Sequence, residues 1–113
     1  MMEQILPPHQ RHSDTSVEAA EQVSERFSGM MDTVFKKIGL QGSFGLTDEE
    51  GQISLRMEGN SYRPCRVTLV DRGMVHDSGK RRKTIRNRNA VVWELTEFGK
   101  EVFKKWVENE PAQ

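Results

Sequence analysis

Apolar residues recur at helical spacing between residues 20 and 38. Residues 1–14 carry a Pro-Pro pair and no such periodicity, so we expect them to form a flexible tail. Thr15 and Glu18 then fit a capping box at the start of a helical region over 15–39, which the Ser28-Gly29 pair can split into two helices. The apolar stripe of this region consists of Ala20, Val23, Phe27, Met30, Met31, Val34 and Ile38.

The region 47–73 predicts two short helices joined by a tight turn. Thr47 is expected to cap the first of them, because three acidic residues follow it near the positive end of the helix dipole. Ser61 is expected to cap the second, which places Pro64 in its first turn, where a missing amide does little harm. The inward face of the second helix is predicted to carry Tyr62, Cys65 and Leu69.

A change to strand-forming residues follows, and it predicts a hairpin over 74–95. We expect strands at Met74–Asp77 and Ala90–Leu95, with a polar, basic loop over Ser78–Arg88 between them. A last amphipathic helix over 96–109 begins at Thr96 as its cap. One core is expected to contain Leu46, Leu55, Tyr62, Leu69, Val75, Val92 and Trp93.

This order of elements predicts an α+β fold that is mostly helical. It is a winged helix-turn-helix, made of a three-helix core and a two-stranded wing, with further helices at both ends. With 113 residues and a mass of 13.0 kDa, the chain has room for one modest core. No apolar run is long enough to cross a bilayer and residues 1–12 lack the pattern of a signal peptide, so we expect a cytoplasmic protein without membrane contact.

The charges are unevenly distributed, although the formal net charge is zero. Residues 56–88 hold ten Lys or Arg against three Asp or Glu, whereas residues 1–55 hold four against nine. Within the predicted wing, no acidic residue interrupts the stretch from Ser78 to Ala90. A positive stripe on an otherwise neutral chain indicates a localised site for a polyanion.

Three segments with continuous spacing resemble a known group of proteins. They are Gly45-Leu46-Thr47-Asp48-Glu49-Glu50, Gly59-Asn60-Ser61-Tyr62-Arg63-Pro64-Cys65-Arg66, and Leu69 to Arg82 with the sequence LVDRGMVHDSGKRR. Together they are similar to the small winged-helix proteins of bacteriophages and prophages. The step from strand to helix at 95–99 also resembles larger regulators of the multiple-antibiotic-resistance type.

The resemblance implies binding to double-stranded DNA, as in a phage or prophage transcriptional regulator, but it fixes no operator. One position departs from the pattern, because Gly51 stands where an aliphatic core residue is usual. Glycine weakens a helix by roughly 1 kcal/mol relative to alanine. We expect Ile53 or Leu55 to replace the missing contact through a shifted register.

The DNA-binding residues are expected on the second helix of the motif and on the wing. Arg63 can reach a guanine edge or a phosphate, with Val67 and Thr68 beside it in the major groove. Asn60 and Ser61 suit a phosphate at the helix start, and Arg66, at the edge of this face, is expected to contact a phosphate. For the wing we expect phosphate or minor-groove contacts by Lys80, Arg81, Arg82, Lys83, Arg86 and Arg88.

Other functions are less favoured by the sequence. His9 and His12 have metal-like spacing, but one cysteine and one distant histidine offer too few further ligands, so we expect no metal or other cofactor. No catalytic triad or phosphate loop is present, which argues against an enzyme. The competing hypothesis is an adaptor or anti-repressor that docks on a host protein. The apolar residues Phe103, Trp106 and Val107 can belong to the core or to an interface between two copies. We expect a homodimer through the terminal amphipathic helices.

Overall fold

The computed structural model describes Phe27 and residues 29–108. The predicted tail, the Thr15 cap, most of the helical region before Gly29 and the His9–His12 pair lie outside these residues. The described chain forms α1 (Gly29–Gln41), a short 3-10 helix (Gly42–Phe44), α2 (Asp48–Leu55), α3 (Gly59–Asp71), β1 (Val75–Lys83), β2 (Asn89–Leu95) and α4 (Glu97–Glu108). The predicted α+β, mostly helical class is confirmed. None of these helices is long and apolar enough to cross a membrane.

The ends of α2 and α3 differ in part from the sequence prediction. Thr47 does cap α2, and the cap is reciprocal, since the Glu50 amide donates to the Thr47 hydroxyl (3.1 Å) and the Thr47 amide to the Glu50 carboxylate (3.0 Å). The helix stops at Leu55, because Arg56 adopts a left-handed φ of 56°. Glu58, and not Ser61, is the N-cap of α3, so Pro64 lies in the second turn of that helix.

The first strand of the hairpin is longer than the sequence predicts. Strand β1 continues through residues 78–83, which were expected to be loop, and the connection shrinks to 84–88. Asp77 pairs with Trp93 and Arg81 with Val91, so three residues of β1 stand opposite one residue of β2 in a bulge. Gly79 supplies a left-handed φ of 88° there, and its amide donates to the Asp77 carboxylate. Charged residues therefore occupy a strand that periodicity alone did not reveal.

One core lies between the helices and the hairpin. Of the residues predicted to share it, Leu46, Tyr62, Leu69, Val75 and Val92 are buried, and Leu55 and Trp93 are partly buried. Helix α4 packs onto α1 through edge-to-face aromatic contacts, with 5.3 Å between the ring centroids of Phe35 and Trp106. The segment before α2 also joins the sheet, because Leu46 and Trp93 exchange two backbone hydrogen bonds. Thr96 accepts a hydrogen bond from the Gly99 amide and so caps α4 as predicted.

The space left by Gly51 is filled by Tyr62, and not by a shifted register of α2. A Cβ on Gly51 would lie 2.2 Å from the Tyr62 hydroxyl oxygen and 2.3 Å from its ring. The expectation that Ile53 compensates is wrong, since this residue is 59% exposed, whereas Leu55 does pack against the core. Burial of the Tyr62 ring raises the pKa of its hydroxyl. Glycine therefore allows the close approach of α2 and α3.

Candidate nucleic-acid interface

Helix α3 has an outward face that includes its N-terminal half. Because Tyr62 and Leu69 are fully buried, the opposite side of the helix is turned to solvent. Four side chains of this side are exposed, among them Val67, which is 44% exposed. Ser61 and Thr68 are half-buried at its edges. The exposed set is Asn60, Arg63, Pro64 and Val67.

Arg66 lies on the inner border of that face and is held within the protein. Its guanidinium donates to both carboxylate oxygens of Asp48, at 3.0 and 2.7 Å, and lies 4.1 Å from the centroid of the Trp93 ring. Only 15% of the side chain is exposed. A bidentate pair combined with stacking is the geometry that arginine supplies best. Arg66 thus fixes α3 against the start of α2 and against β2.

Arg82 makes the corresponding connection between the wing and α2. Its guanidinium donates to both carboxylate oxygens of Glu50 (2.7 and 2.6 Å) and to the backbone carbonyls of Phe44 and Gly45, and it stacks on the Phe44 ring at 4.0 Å. The hydrogen bond from Arg82 holds the pKa of Glu50 below its ordinary value, and the same bond raises the pKa of Arg82. One carboxylate therefore both caps α2 and anchors β1.

Lys80 and Arg81 are also paired within the protein. The Lys80 ammonium lies 2.8 Å from the Glu94 carboxylate and donates to the Ser43 carbonyl. Arg81 pairs with Asp77 at 3.0 Å, and the Gly79 amide and Arg81 lower the pKa of that carboxyl, the amide more strongly. We call Lys80, Arg81 and Arg82 the wing base. Every cation of the wing base has a carboxylate partner.

The remaining segment, residues 83–88, we call the wing tip. Lys83, Arg86 and Arg88 are exposed there, and within the described part of the chain none of them forms an ion pair. The backbone is nevertheless ordered by hydrogen bonds, from the Thr84 amide to the Arg88 carbonyl and from the Asn87 amide to the Thr84 carbonyl, both 2.8 Å. The wing tip thus carries, on an ordered backbone, cations that form no ion pair within the described residues.

Helix α3 and the wing tip line one groove. Its volume is about 350 Å³, and its walls come from α2, α3 and the hairpin. Arg63 and Arg66 lie on the α3 side, and Thr84 of the wing tip lies on the hairpin side with Ala90 and Val91 of β2. Of the predicted DNA-binding residues, the groove contains Arg63 and Arg66, whereas none of the six predicted wing cations lines it.

The sequence prediction missed the role of three acidic residues. Asp48, Glu49 and Glu50 were assigned to the helix dipole alone, but each has a specific partner, namely Arg66, the Ile85 amide and Arg82. Three consecutive acids exceed what a single helix start requires, and this excess was the signal available.

In the described part of the chain, no three His, Cys, Asp or Glu side chains gather as a metal site would require.

Comparisons with known proteins agree with this architecture. No protein-family model matches the sequence, and no curated protein matches it. The crystal structure of the Staphylococcus aureus MepR–DNA complex is similar with a TM-score of 0.57 at 13% identity, over 88% of this chain and 73% of that chain. A ZitR mutant of Lactococcus lactis gives a TM-score of 0.49 at 17% identity, over 88% and 70%. Together with the order of elements, the similarity to MepR shows that this chain has the winged-helix fold.

Proposed function

We propose that this protein binds double-stranded DNA, with α3 in the major groove and the wing tip on the adjacent backbone or minor groove. The observation that carries the proposal is one groove with Arg63 on its α3 wall and Thr84 of the wing tip on its hairpin wall. The exposed cations Lys83 and Arg86 lie close to Thr84 in the chain. A helix flanked by a positive hairpin matches the shape and charge of a duplex surface. The solved neighbour MepR was crystallised with DNA, which supports the proposal.

Sequence preference is assigned to the exposed face of α3. Arg63 can donate two hydrogen bonds to a guanine edge, and Val67 can contact a thymine methyl, with Thr68 beside them. Asn60 and Ser61 lie in the first turn of α3, where the positive end of the helix dipole favours a phosphate oxygen. Arg66 keeps its charge near this site, but its pair with Asp48 gives it mainly the task of orienting α3.

Affinity without sequence preference is assigned to the wing. Lys83, Arg86 and Arg88 contact phosphates, because they are exposed and have no ion-pair partner among the described residues. Lys80, Arg81 and Arg82 contribute by holding the wing in place, since a cation already paired with a carboxylate gains less from a phosphate. The proposed phosphate contacts of the wing are therefore three of the six cations that the sequence suggested.

The proposed biological role is that of a cytoplasmic transcriptional regulator, in keeping with the resemblance to phage and prophage proteins. A homodimer through the terminal helices would place two α3 helices about one DNA turn apart, roughly 34 Å. Exposed Met30 and Leu40 on α1 and Val107 on α4 support an apolar contact between copies. Sedimentation velocity at high micromolar concentration tests this, and a monomer there would count against the dimer.

The proposed function is tested by selecting the tightest duplex from random DNA and measuring its affinity by fluorescence anisotropy. Arg63→Ala is expected to weaken the free energy of binding to the selected duplex by about 1–3 kcal/mol, and to random duplexes by less. Lys104→Ala removes the same charge from an exposed position on α4 and is the matched control, with little effect expected. Failure of the wild-type protein to retain any duplex at physiological salt would refute DNA binding. Equal losses on all sequences would refute the role of Arg63.

A second candidate function is docking on a host protein, and one observation favours it. Pairing of the wing base removes much of the excess charge, and Ile53 on α2 and Val67 on α3 leave exposed apolar surface. Such a protein would show no salt-dependent affinity for duplex DNA, so the same titrations separate the two functions.

A further inference from the structure

The most exposed large apolar side chain among the described residues lies at the end of the wing. Ile85 is 80% exposed, more than Leu40 on α1 (73%) or Ile53 on α2 (59%). Its neighbours in the wing tip include Lys83, Arg86 and Arg88, whose charges are unpaired within the described chain. An aliphatic side chain at this position contributes nothing to the core and gains nothing from water.

The backbone holds Ile85 in a defined position. Thr84 and Arg88 close a hairpin loop whose three central residues end in Asn87, which has a left-handed φ of 63°. Ile85 and Arg86 occupy the two central positions of the turn that the Asn87 amide closes by donating to the Thr84 carbonyl. The Thr84 hydroxyl accepts from the Arg88 amide at 3.1 Å. These bonds turn the Ile85 side chain away from the protein on an ordered loop.

A hydrogen bond to α2 fixes the position of this loop. The Ile85 amide donates to the Glu49 carboxylate at 3.1 Å, so the first turn of α2 carries the wing tip. The wing base fixes the other end of the hairpin, through Arg82 and Glu50. An exposed apolar residue that is braced at two points suits insertion into a partner, whereas a mobile one would lose more entropy on binding.

We propose that Ile85 enters the minor groove of bound duplex DNA and packs on its sugar walls as an apolar wedge, with Arg86 and Arg88 on the flanking phosphates. The proposal rests on the proposed function and names the residue that makes the groove contact. The minor groove combines apolar walls with strong negative potential, which fits an isoleucine among cations. Aliphatic side chains are known to serve as wedges in this groove.

The test compares Ile85→Ser with Ile53→Ser on the duplex selected by the wild-type protein, at several salt concentrations. Ile85→Ser is expected to weaken binding about tenfold, because the apolar contact is lost. The salt dependence should stay unchanged, since no charge is removed. Ile53→Ser, the same substitution at an exposed position on α2, should bind like the wild type, and Ile85→Leu should keep affinity within about twofold. Serine is well tolerated in turns, so folding is preserved, and thermal unfolding checks this.

Methylation interference identifies the groove. Methylation of adenine N3 in the minor groove should block wild-type binding next to the α3 contacts, and this interference should disappear with Ile85→Ser. Wild-type affinity for Ile85→Ser, or unchanged interference at adenine N3, would overturn the wedge while leaving DNA binding intact. If the wild-type protein binds no duplex, the proposed function and the wedge both fail.

Discussion

The base and the tip of the wing carry the same number of cations in adjacent stretches of sequence, but the two regions differ in what those cations do. Lys80, Arg81 and Arg82 each have a carboxylate within 3.0 Å. The tip residues Lys83, Arg86 and Arg88 have none among the described residues. Half of the basic run is therefore part of the protein's own framework.

The difference shows that a run of like charge along a chain is not the same as free charge on a surface. Of the partners of the wing base, Glu50 belongs to α2, Glu94 to β2 and Asp77 to β1 itself. The bulge after Asp77 and the alternation of side chains along β1 send Arg82 towards α2 and leave Lys83 exposed. Only the unpaired half is available to a polyanion at full strength.

The largest effect is expected from separating α2 from α3, because α2 binds the wing base through Glu50 and the wing tip through Glu49. Gly51→Ala places a methyl group 2.2 Å from the Tyr62 hydroxyl oxygen, so α2 and α3 must separate. We expect the free energy of unfolding to fall by about 3 kcal/mol, at the upper end of overpacking effects, although alanine favours helix. Chemical denaturation measures this, with Ser54→Ala on the same helix as the control. An unchanged or raised stability would show that α2 and α3 do not approach as described.

The comparison between tip and base is tested directly by two double variants. Arg86→Ala with Arg88→Ala is expected to weaken duplex binding roughly 10–50-fold at about 0.15 M salt and to make the salt dependence shallower by about two units. The double variant Lys80→Ala with Arg81→Ala removes the same amount of positive charge and so changes the long-range attraction to DNA equally. Because these two cations are already paired with carboxylates, we expect the affinity for the duplex to fall by about threefold at most. Anisotropy titrations supply both numbers. Equal changes in slope for the two variants would contradict the division of the wing.

A smaller effect concerns the anchoring of the wing base. Because Arg82 lowers the pKa of Glu50 in the folded state, this pair stabilises the protein above the ordinary glutamate pKa and stops doing so as the pH falls through the lowered value. Glu50→Gln is expected to reduce stability at neutral pH by about 0.5–1 kcal/mol, since both side chains are partly exposed.

The stability difference between wild type and Glu50→Gln should shrink on acidification below the ordinary glutamate value. Denaturant titrations from pH 7 to about pH 3 measure it, with Glu108→Gln at an exposed position of α4 as the control. A difference that persists at the acid end would mean that the carboxylate is not the source of the stability.

Local patterns predicted much of the fold. The Thr47 cap, the inward face of α3 and the strand at 90–95 follow from near-neighbour chemistry, and the structure contains all three. The length of β1 was missed because its exposed charged residues lack alternation with apolar ones. The N-cap of α3 was missed because Ser61 is the better capping residue by type, whereas the turn after Arg56 places Glu58 in that position.

The sequence by itself determined the order of elements, part of the core and the concentration of positive charge in the middle of the chain. Periodicity, caps and composition act over a few residues, so they can be recognised without coordinates. Only the tertiary structure decided which cations are free, because the partners of Arg66 and Arg82 lie 18 and 32 residues away along the chain. It also decided that Gly51 is a contact surface for Tyr62, since a close approach of two helices depends on packing that no local pattern records.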